Sequence, residues 1–184
     1  MSDGAPRRRS VLLISGSTRV GSVNSAVAAT AAALVPDGVD ADVYDRLLDL
    51  PHFVPDHDPD QLPPAVADLR RRIAACDAIF LTTPEYAGSM PAVLKNLLEW
   101  TVGGDEMSDK PCGWANASAP PGRAEATYQG LAATLQYTDA NVVDAACVAV
   151  PVGRDRIGPD GLVDDVDARA AIADALRQLL LGSA

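Results

Sequence analysis

Hydrophobic and polar positions along this chain switch repeatedly between two kinds of pattern. Ser10–Ser15 is a compact apolar run, Val-Leu-Leu-Ile between two serines, the mark of a strand buried on both faces. Ser22–Val35 is Ala-rich, suits a helix, and meets a stop signal at Pro36-Asp-Gly38. Val39–Tyr44 alternates apolar and acidic residues and predicts a more exposed strand. Leu50–Pro64 is rich in Pro and Asp and predicts an irregular loop, followed by a helix over Ala65–Ala75. Asp77–Thr82 predicts a second buried strand, and Pro91–Trp100 a helix opened by Pro in its first turn. Gly103–Lys110 is a polar loop before a strand over Pro111–Ala117. Glu125–Tyr137 predicts a helix, Val142–Val150 a fifth strand, Arg154–Asp165 a turn-rich loop and Val166–Leu181 the last helix.

Strands alternating with helices across short connections imply an α/β fold, a parallel sheet with helices on both faces. In such sheets ligands bind at the carboxyl ends of the strands, near the point where strand order reverses. The loops after the first, third and fourth strands are therefore the places for chemistry. A length of 184 residues suits one domain. The expected division is a flexible tail over 1–9 and a single domain over 10–184, with no internal repeat and no linker.

Composition removes several function classes. A net charge of −10 repels nucleic acid and anionic membranes, whose binding begins with neutralising phosphates. The one basic run, Arg7, Arg8 and Arg9, is expected to be a solvated end of the tail. Cys76, Cys112 and Cys147 are odd in number, far apart and without metal-ligand spacing, and only His52 and His57 could assist them. Reduced core thiols in the cytoplasm are the expectation, with neither a disulfide framework nor a metal site. No apolar run is long enough to span a bilayer, and no signal-peptide pattern follows the N-terminal charges.

The first loop, Gly16-Ser-Thr-Arg-Val-Gly-Ser-Val-Asn24, joins a buried strand directly to a helix. Unpaired N–H groups and the positive end of the helix dipole make that junction a place for an anion. Ser17, Thr18, Ser22, Asn24 and Arg19 crowd into it, and a phosphate monoester wants many donors and few bulky groups. The alternative is that Ser22 merely caps the helix while the glycines turn the chain. Rival phosphate loops fit less well. Gly16 and Gly21 have the spacing of a nucleoside-triphosphate loop, but Ser22 stands where that motif needs Lys. They also match the first and third glycines of the dinucleotide fingerprint, but Thr18 replaces the second, and Asp45 lies further along than the usual ribose-binding acid.

The second loop, Thr82-Thr-Pro-Glu-Tyr-Ala-Gly-Ser-Met-Pro91, is stiffened by proline near both ends, and Gly88 permits close backbone approach. Such a loop can present N–H and C=O groups to the edge of a flat heterocycle. With the following Ala-Val-Leu-Lys-Asn-Leu-Leu-Glu-Trp100, and with Gly-Ser-Thr-Arg-x-Gly-Ser-x-Asn in the first loop, it resembles the NADPH-dependent FMN reductase family, which includes quinone, azo-compound and chromate reductases. The resemblance runs from Val11 to the last helix and takes in Asp49-Leu-Pro-His-Phe and Gly158-Pro-Asp-Gly-Leu-Val-Asp.

What the resemblance implies is specific. The fold would be flavodoxin-like, a five-stranded parallel sheet in the order 2-1-3-4-5. Ser17, Arg19, Ser22 and Asn24 would hold the FMN phosphate. Pro84, Glu85, Tyr86, Gly88 and Ser89 would line the ribityl chain and the isoalloxazine. In the third loop, Ala117-Ser-Ala-Pro-Pro-Gly-Arg-Ala124, the match to the family's glycine-richer stretch is partial, and Ser118 and Gly122 are the candidates. Ala87 stands where many members carry Asn, which would remove a side-chain hydrogen bond to the flavin or the loop. Lys95, Asn96 and Trp100 are expected on the helix surface and in the core, or at a subunit contact. The apolar set Val93, Leu94, Leu97, Leu98 and Trp100 covers more than one helix face, which predicts a homodimer or homotetramer with this helix at or near the interface; deep burial of the helix within one subunit is the alternative.

No Gly-x-Ser-x-Gly elbow exists, and no side chain is expected to act as catalytic acid, base or nucleophile. That agrees with a flavoenzyme, in which the cofactor performs the hydride chemistry. The expected activity is transfer of hydride from NADPH or NADH through FMN to a small quinone-like, azo or other acceptor, or to free flavin. A flavodoxin-type electron carrier and a non-catalytic flavin-binding module are the alternatives.

Overall fold

The computed structural model describes residues 7–56, 61–120 and 122–182. Its strands are β1 (Arg9–Ser15), β2 (Val39–Tyr44), β3 (Ala78–Thr82), β4 (Pro111–Asn116) and β5 (Asn141–Ala149), all parallel, in the order β2-β1-β3-β4-β5. Between and after them run helices α1 (Val23–Leu34), α2 (Pro64–Ala75), α3 (Ala92–Glu99), α4 (Glu125–Tyr137) and α5 (Val166–Leu181). This is the flavodoxin-like arrangement that the resemblance implied. Element ends lie within a residue or two of the expected ones, and a short 3₁₀ turn over Leu47–Asp49 precedes the irregular loop.

The run Val11-Leu-Leu-Ile14 divides its side chains between two cores. Leu12 and Ile14 join Ile79 and Leu81 under α2, α3 and α4, while Val11 and Leu13 join Phe80 under α1 and α5. Burial on both faces explains why the strand shows no alternation. Between Cys112 and Trp114 the β4–β5 register slips by three residues, since their partners are Val142 and Cys147. Gly113 sits at that irregularity, where a Cβ would lie 2.7 Å from the Cβ of Ala146.

The basic end of the tail is not simply solvated. Arg9 begins β1, the Arg7 guanidinium pairs with Asp77 at 2.5 Å, and Arg8 pairs with Asp40 at 3.3 Å. A chain this acidic offers Arg7 and Arg8 a carboxylate within reach, and Arg9 donates to the Leu180 carbonyl. The rest of the expected tail, residues 1–6, lies outside the described residues, as do His57 and Pro121.

Helix α3 and the Trp100 that follows it bury four of the five residues of the expected apolar set inside the subunit, and Val93 is half-buried beside the open groove. Leu94, Leu97, Leu98 and Trp100 are all buried, which removes the argument from this helix for a second copy. Trp100 packs edge-on against Phe53 at 5.2 Å between ring centroids, and its Nε1–H donates to the Pro51 carbonyl at 2.7 Å. Asn96 donates to the same carbonyl at 2.9 Å and accepts from the Phe53 N–H at 2.8 Å. The Leu-Pro-His-Phe segment is thereby stapled to α3. Lys95 and Glu99 pair at 2.7 Å on the outer side, the i,i+4 arrangement.

Candidate functional site

The loop after β1 turns sharply because it must pass under the loop after β3. The Gly16 N–H donates to the Thr82 carbonyl at 2.8 Å, and a Cβ on Gly16 would meet Thr83 Oγ1 at 2.5 Å and Leu94 Cδ2 at 2.9 Å. Only glycine fits this approach. Ser15 and Ser25 brace the turn with a hydroxyl–hydroxyl bond of 3.2 Å. Ser22 holds the N-cap position of α1, yet its side chain makes no capping hydrogen bond, and no acidic residue occupies the first turn. A cap alone does not account for Ser22, and the helix terminus keeps its unpaired N–H groups and positive field. Asn24 accepts from Thr82 Oγ1 at 2.6 Å through Oδ1, and its NH₂ has no partner among the described residues.

Cations left without partners mark the same side of the sheet. The chain has 15 Lys and Arg residues. Among the described residues only Arg19, Arg123 and Arg154 make no side-chain hydrogen bond or ion pair. All three are exposed, in the loops that follow β1, β4 and β5. In a protein of net charge −10, uncompensated guanidinium groups gathered at the carboxyl ends of the strands favour an anionic ligand there.

The second loop is a two-residue hairpin. Tyr86 and Ser89 exchange backbone hydrogen bonds of 2.8 and 3.1 Å across Ala87 and Gly88, whose φ angles are 52° and 76°. Positive φ at both central residues is the signature of a type I′ turn, for which Asn-Gly is the favoured pair. The physical deficit at Ala87 is therefore backbone strain, since Asn tolerates this conformation better than Ala. Glu85 is oriented by a hydrogen bond of 3.1 Å from Thr127 Oγ1 on α4.

Tyr128, also on α4, sets the spacing of the second and third loops. Its buried hydroxyl oxygen accepts from the Thr83 N–H at 3.1 Å and lies 3.0 Å from the Thr83 carbonyl and 2.8 Å from that of Ala115. One proton serves the two carbonyls, so the ring ties the ends of β3 and β4 together. Burial pushes this phenol up to about 12. In the third loop Asn116 accepts from the Ser118 N–H at 3.1 Å and donates to the Arg123 carbonyl at 3.0 Å. Gly122 and Ala124 both take positive φ there, 74° and 63°.

These loops bring most of the expected site residues to three adjoining clefts. Asn24, Pro84, Glu85 and Ser118 line one of about 250 Å³, together with Arg123. Ser17 and Arg19 line a second of about 300 Å³, against the turn after β2. Tyr86 and Ser89 border a third, open groove of about 710 Å³ with Thr18 and the outer face of α4. Ser22, Gly88 and Gly122 line none of the three; they hold the helix start, the hairpin and a turn. A further groove of about 680 Å³ runs along α4 and the edge strand β5, mostly away from these loops.

Sequence reasoning missed Thr127, Tyr128, Asn116, Arg123 and Arg154. A cation in a loop after a strand was a usable signal for Arg123 and Arg154. None existed for Tyr128, which looks like any apolar-face aromatic of a helix.

The thiols are unsuited to nucleophilic work. Burial raises Cys76 and Cys147 to about 11 and Cys112 higher still, so all three are protonated at neutral pH. Among the described residues no group of three or more His, Cys, Asp or Glu could hold a metal ion, and no helix is long and apolar enough to cross a membrane.

Known proteins resemble this chain along nearly its whole length. The family model described as NADPH-dependent FMN reductase matches residues 9–155. An NAD(P)H-dependent FMN reductase of Pseudomonas aeruginosa is 37% identical over 174 residues, which is 93% of each chain. A 2-hydroxy-1,4-benzoquinone reductase of a Burkholderia species is 32% identical over 124 residues, 67% of this chain and 63% of that one. In structure, the NAD(P)H:(acceptor) oxidoreductase FerB of Paracoccus denitrificans superposes with a TM-score of 0.83 at 22% identity, covering 95% of this chain and 97% of that one.

Proposed function

Because the chain belongs to the NADPH-dependent FMN reductase family, we propose that it binds FMN at the loops after β1, β3 and β4 and is an NAD(P)H-dependent oxidoreductase for small acceptors. Quinone-like and azo compounds are the acceptor classes, with free flavin a further one. The observation that carries the reading is the donor set of the first loop. Ser22 makes no capping bond, and neither the Asn24 NH₂ nor Arg19 has a partner among the described residues; all three belong to the turn into α1, where a dianionic phosphate gains from the helix field as well.

The chain's own residues divide the work. Ser17, Arg19, Ser22 and Asn24 hold the phosphate. Pro84, Glu85 and the Tyr86–Ser89 hairpin, with Gly88 at its tip, line the ribityl chain and the ring. Ser118 and the Gly122 turn border the ring from the third loop. Bound FMN supplies the two-electron chemistry between NAD(P)H and the acceptor, so no side chain has to act as acid or base in the hydride step. Tyr86, 51% exposed, borders the open groove where the second substrate enters.

Residues 10–184 act as one flavin-binding domain in this reading. A cytoplasmic location fits the three free thiols. Assembly as a homodimer or homotetramer follows from the family resemblance alone.

Steady-state oxidation of NADPH and NADH by the purified protein, with and without FMN and menadione, is the test. Acceptor-dependent oxidation that requires FMN is expected. Tight FMN binding without any oxidation would leave a flavodoxin-type carrier. Binding of neither FMN nor NAD(P)H would refute the reading.

A further inference from the structure

The cleft between the loop after β1 and the turn after β2 extends beyond Ser17 and Arg19 to residues that the reading above does not use. It measures about 300 Å³, at the lower end of the range for small-molecule pockets. Tyr44, only 2% exposed, forms its floor. Its walls are Val20, Val43 and Leu48, which are 97%, 40% and 73% exposed, three of the nine large hydrophobic residues exposed among those described. Apolar walls gathered around a cavity and covered by nothing in the fold favour a flat apolar ligand.

Two charged groups that line the cleft are equally uncommitted. Arg19 lines the cleft from the phosphate loop and has no partner among the described residues. Of the acidic residues in and just after β2, Asp40, Asp42 and Asp49 pair with Arg8, Arg72 and Arg46. Asp45, which lines the cleft, pairs with nothing described. A cation for phosphate, an apolar slot for a purine and a carboxylate acceptor for ribose hydroxyls are together the requirements of a nucleoside 5′-phosphate.

We propose that this cleft takes the adenosine monophosphate half of FAD, so that the flavin site accepts FAD as well as FMN. The proposal rests on the reading that the flavin phosphate lies in the loop after β1. Ser17 and Arg19 then belong to both sites, and an adenosine in the cleft would carry its own 5′-phosphate, joined as an anhydride to the flavin phosphate, which is the linkage of FAD. The adenosine of NADPH fits less well, because its 2′-phosphate would meet the carboxylate of Asp45.

Calorimetric titration of the apoprotein with FAD, FMN and riboflavin tests this without reference to turnover. FAD is expected to bind at least as tightly as FMN. Leu48→Ser and Asp45→Asn alter exposed residues and spare the fold. Each is expected to weaken FAD by about fivefold or more while moving FMN by less than about twofold. FAD binding about tenfold weaker than FMN, or variants that shift both flavins equally or neither, would overturn the proposal. So would a loss of NADH or NADPH affinity in FMN-loaded Leu48→Ser with FAD affinity unchanged, since the cleft would then serve the dinucleotide. FMN that binds no better than riboflavin would instead remove the underlying phosphate reading, a distinguishable outcome.

Discussion

The first loop and helix α3 carry the chain's two family motifs, and the fold treats them in opposite ways. In the first loop Arg19 and Ser22 keep their hydrogen-bonding capacity free, while Gly16 fits only because it has no side chain. In α3 both ends of the Asn96 amide and the Trp100 indole N–H are satisfied by the Pro51–Phe53 segment, and the leucines are buried. A motif residue whose polar atoms are already paired inside the subunit holds the fold. One whose polar atoms are free at the carboxyl edge of the sheet is available to a ligand.

The sharpest way to break that contrast is Trp100→Ala. Truncating a buried indole costs about 3–5 kcal/mol, and the Pro51 carbonyl loses a donor besides. Chemical denaturation should show a loss of this size, whereas the preference of the remaining folded protein for FMN over riboflavin should persist. A stable variant with altered flavin preference would place Trp100 with the first loop instead.

Arg19→Ala is the converse. FMN should bind about tenfold or more weakly, as loss of a charge-assisted phosphate contact implies. Riboflavin binding and the apoprotein's thermal midpoint should hardly change, because Arg19 is exposed and pairs with nothing described. Ser22→Ala should follow the same pattern with a smaller factor. A marked drop in apoprotein stability would restore the capping role.

Tyr128→Phe tests a residue that belongs to the fold but acts on the site. It leaves the buried Thr83 N–H without its acceptor, at a cost of about 1–3 kcal/mol. Flavin affinity should fall with it, as the second and third loops lose their tie. The raised phenol pKa adds a pH signature. In the unfolded chain the phenol ionises near pH 10, and in the folded protein at about 12, so the folded state holds the proton more tightly. Stability from this group is complete below about pH 10 and falls as pH rises towards 12. Urea midpoints measured across that window should decline less steeply in Tyr128→Phe.

The smallest effect is a gain. Ala87→Asn or Ala87→Gly should raise stability by about 0.5–1 kcal/mol, since either residue accepts the left-handed conformation at lower cost. Thermal denaturation measures it. If Ala87→Asn tightened FMN while Ala87→Gly did not, the Asn side chain itself would be the contact and the backbone account would fail.

Much of this molecule is written in local runs of residues. The alternation of strands and helices, the parallel sheet and the donor-rich junction at Gly16–Asn24 depend on neighbours in sequence, because burial on both faces, helix stops and unpaired N–H groups at a helix start are local consequences of residue type. The apolar set of α3 was equally visible, but its contacts were not: only the path of the chain after the Leu47–Asp49 turn brought Pro51 and Phe53 against Asn96 and Trp100. Tyr128, Asn116 and Arg123 likewise gained their roles through contacts with backbone that the sheet order brings near. Position 87 looked like a missing side-chain contact until the hairpin showed that its backbone is left-handed. Residue type and order along the chain settled which segments are strands, helices and donor-rich turns. The tertiary structure decided which polar groups those segments satisfy among themselves and which they leave for a ligand, because hydrogen-bond capacity is allotted by contacts between residues far apart in the chain.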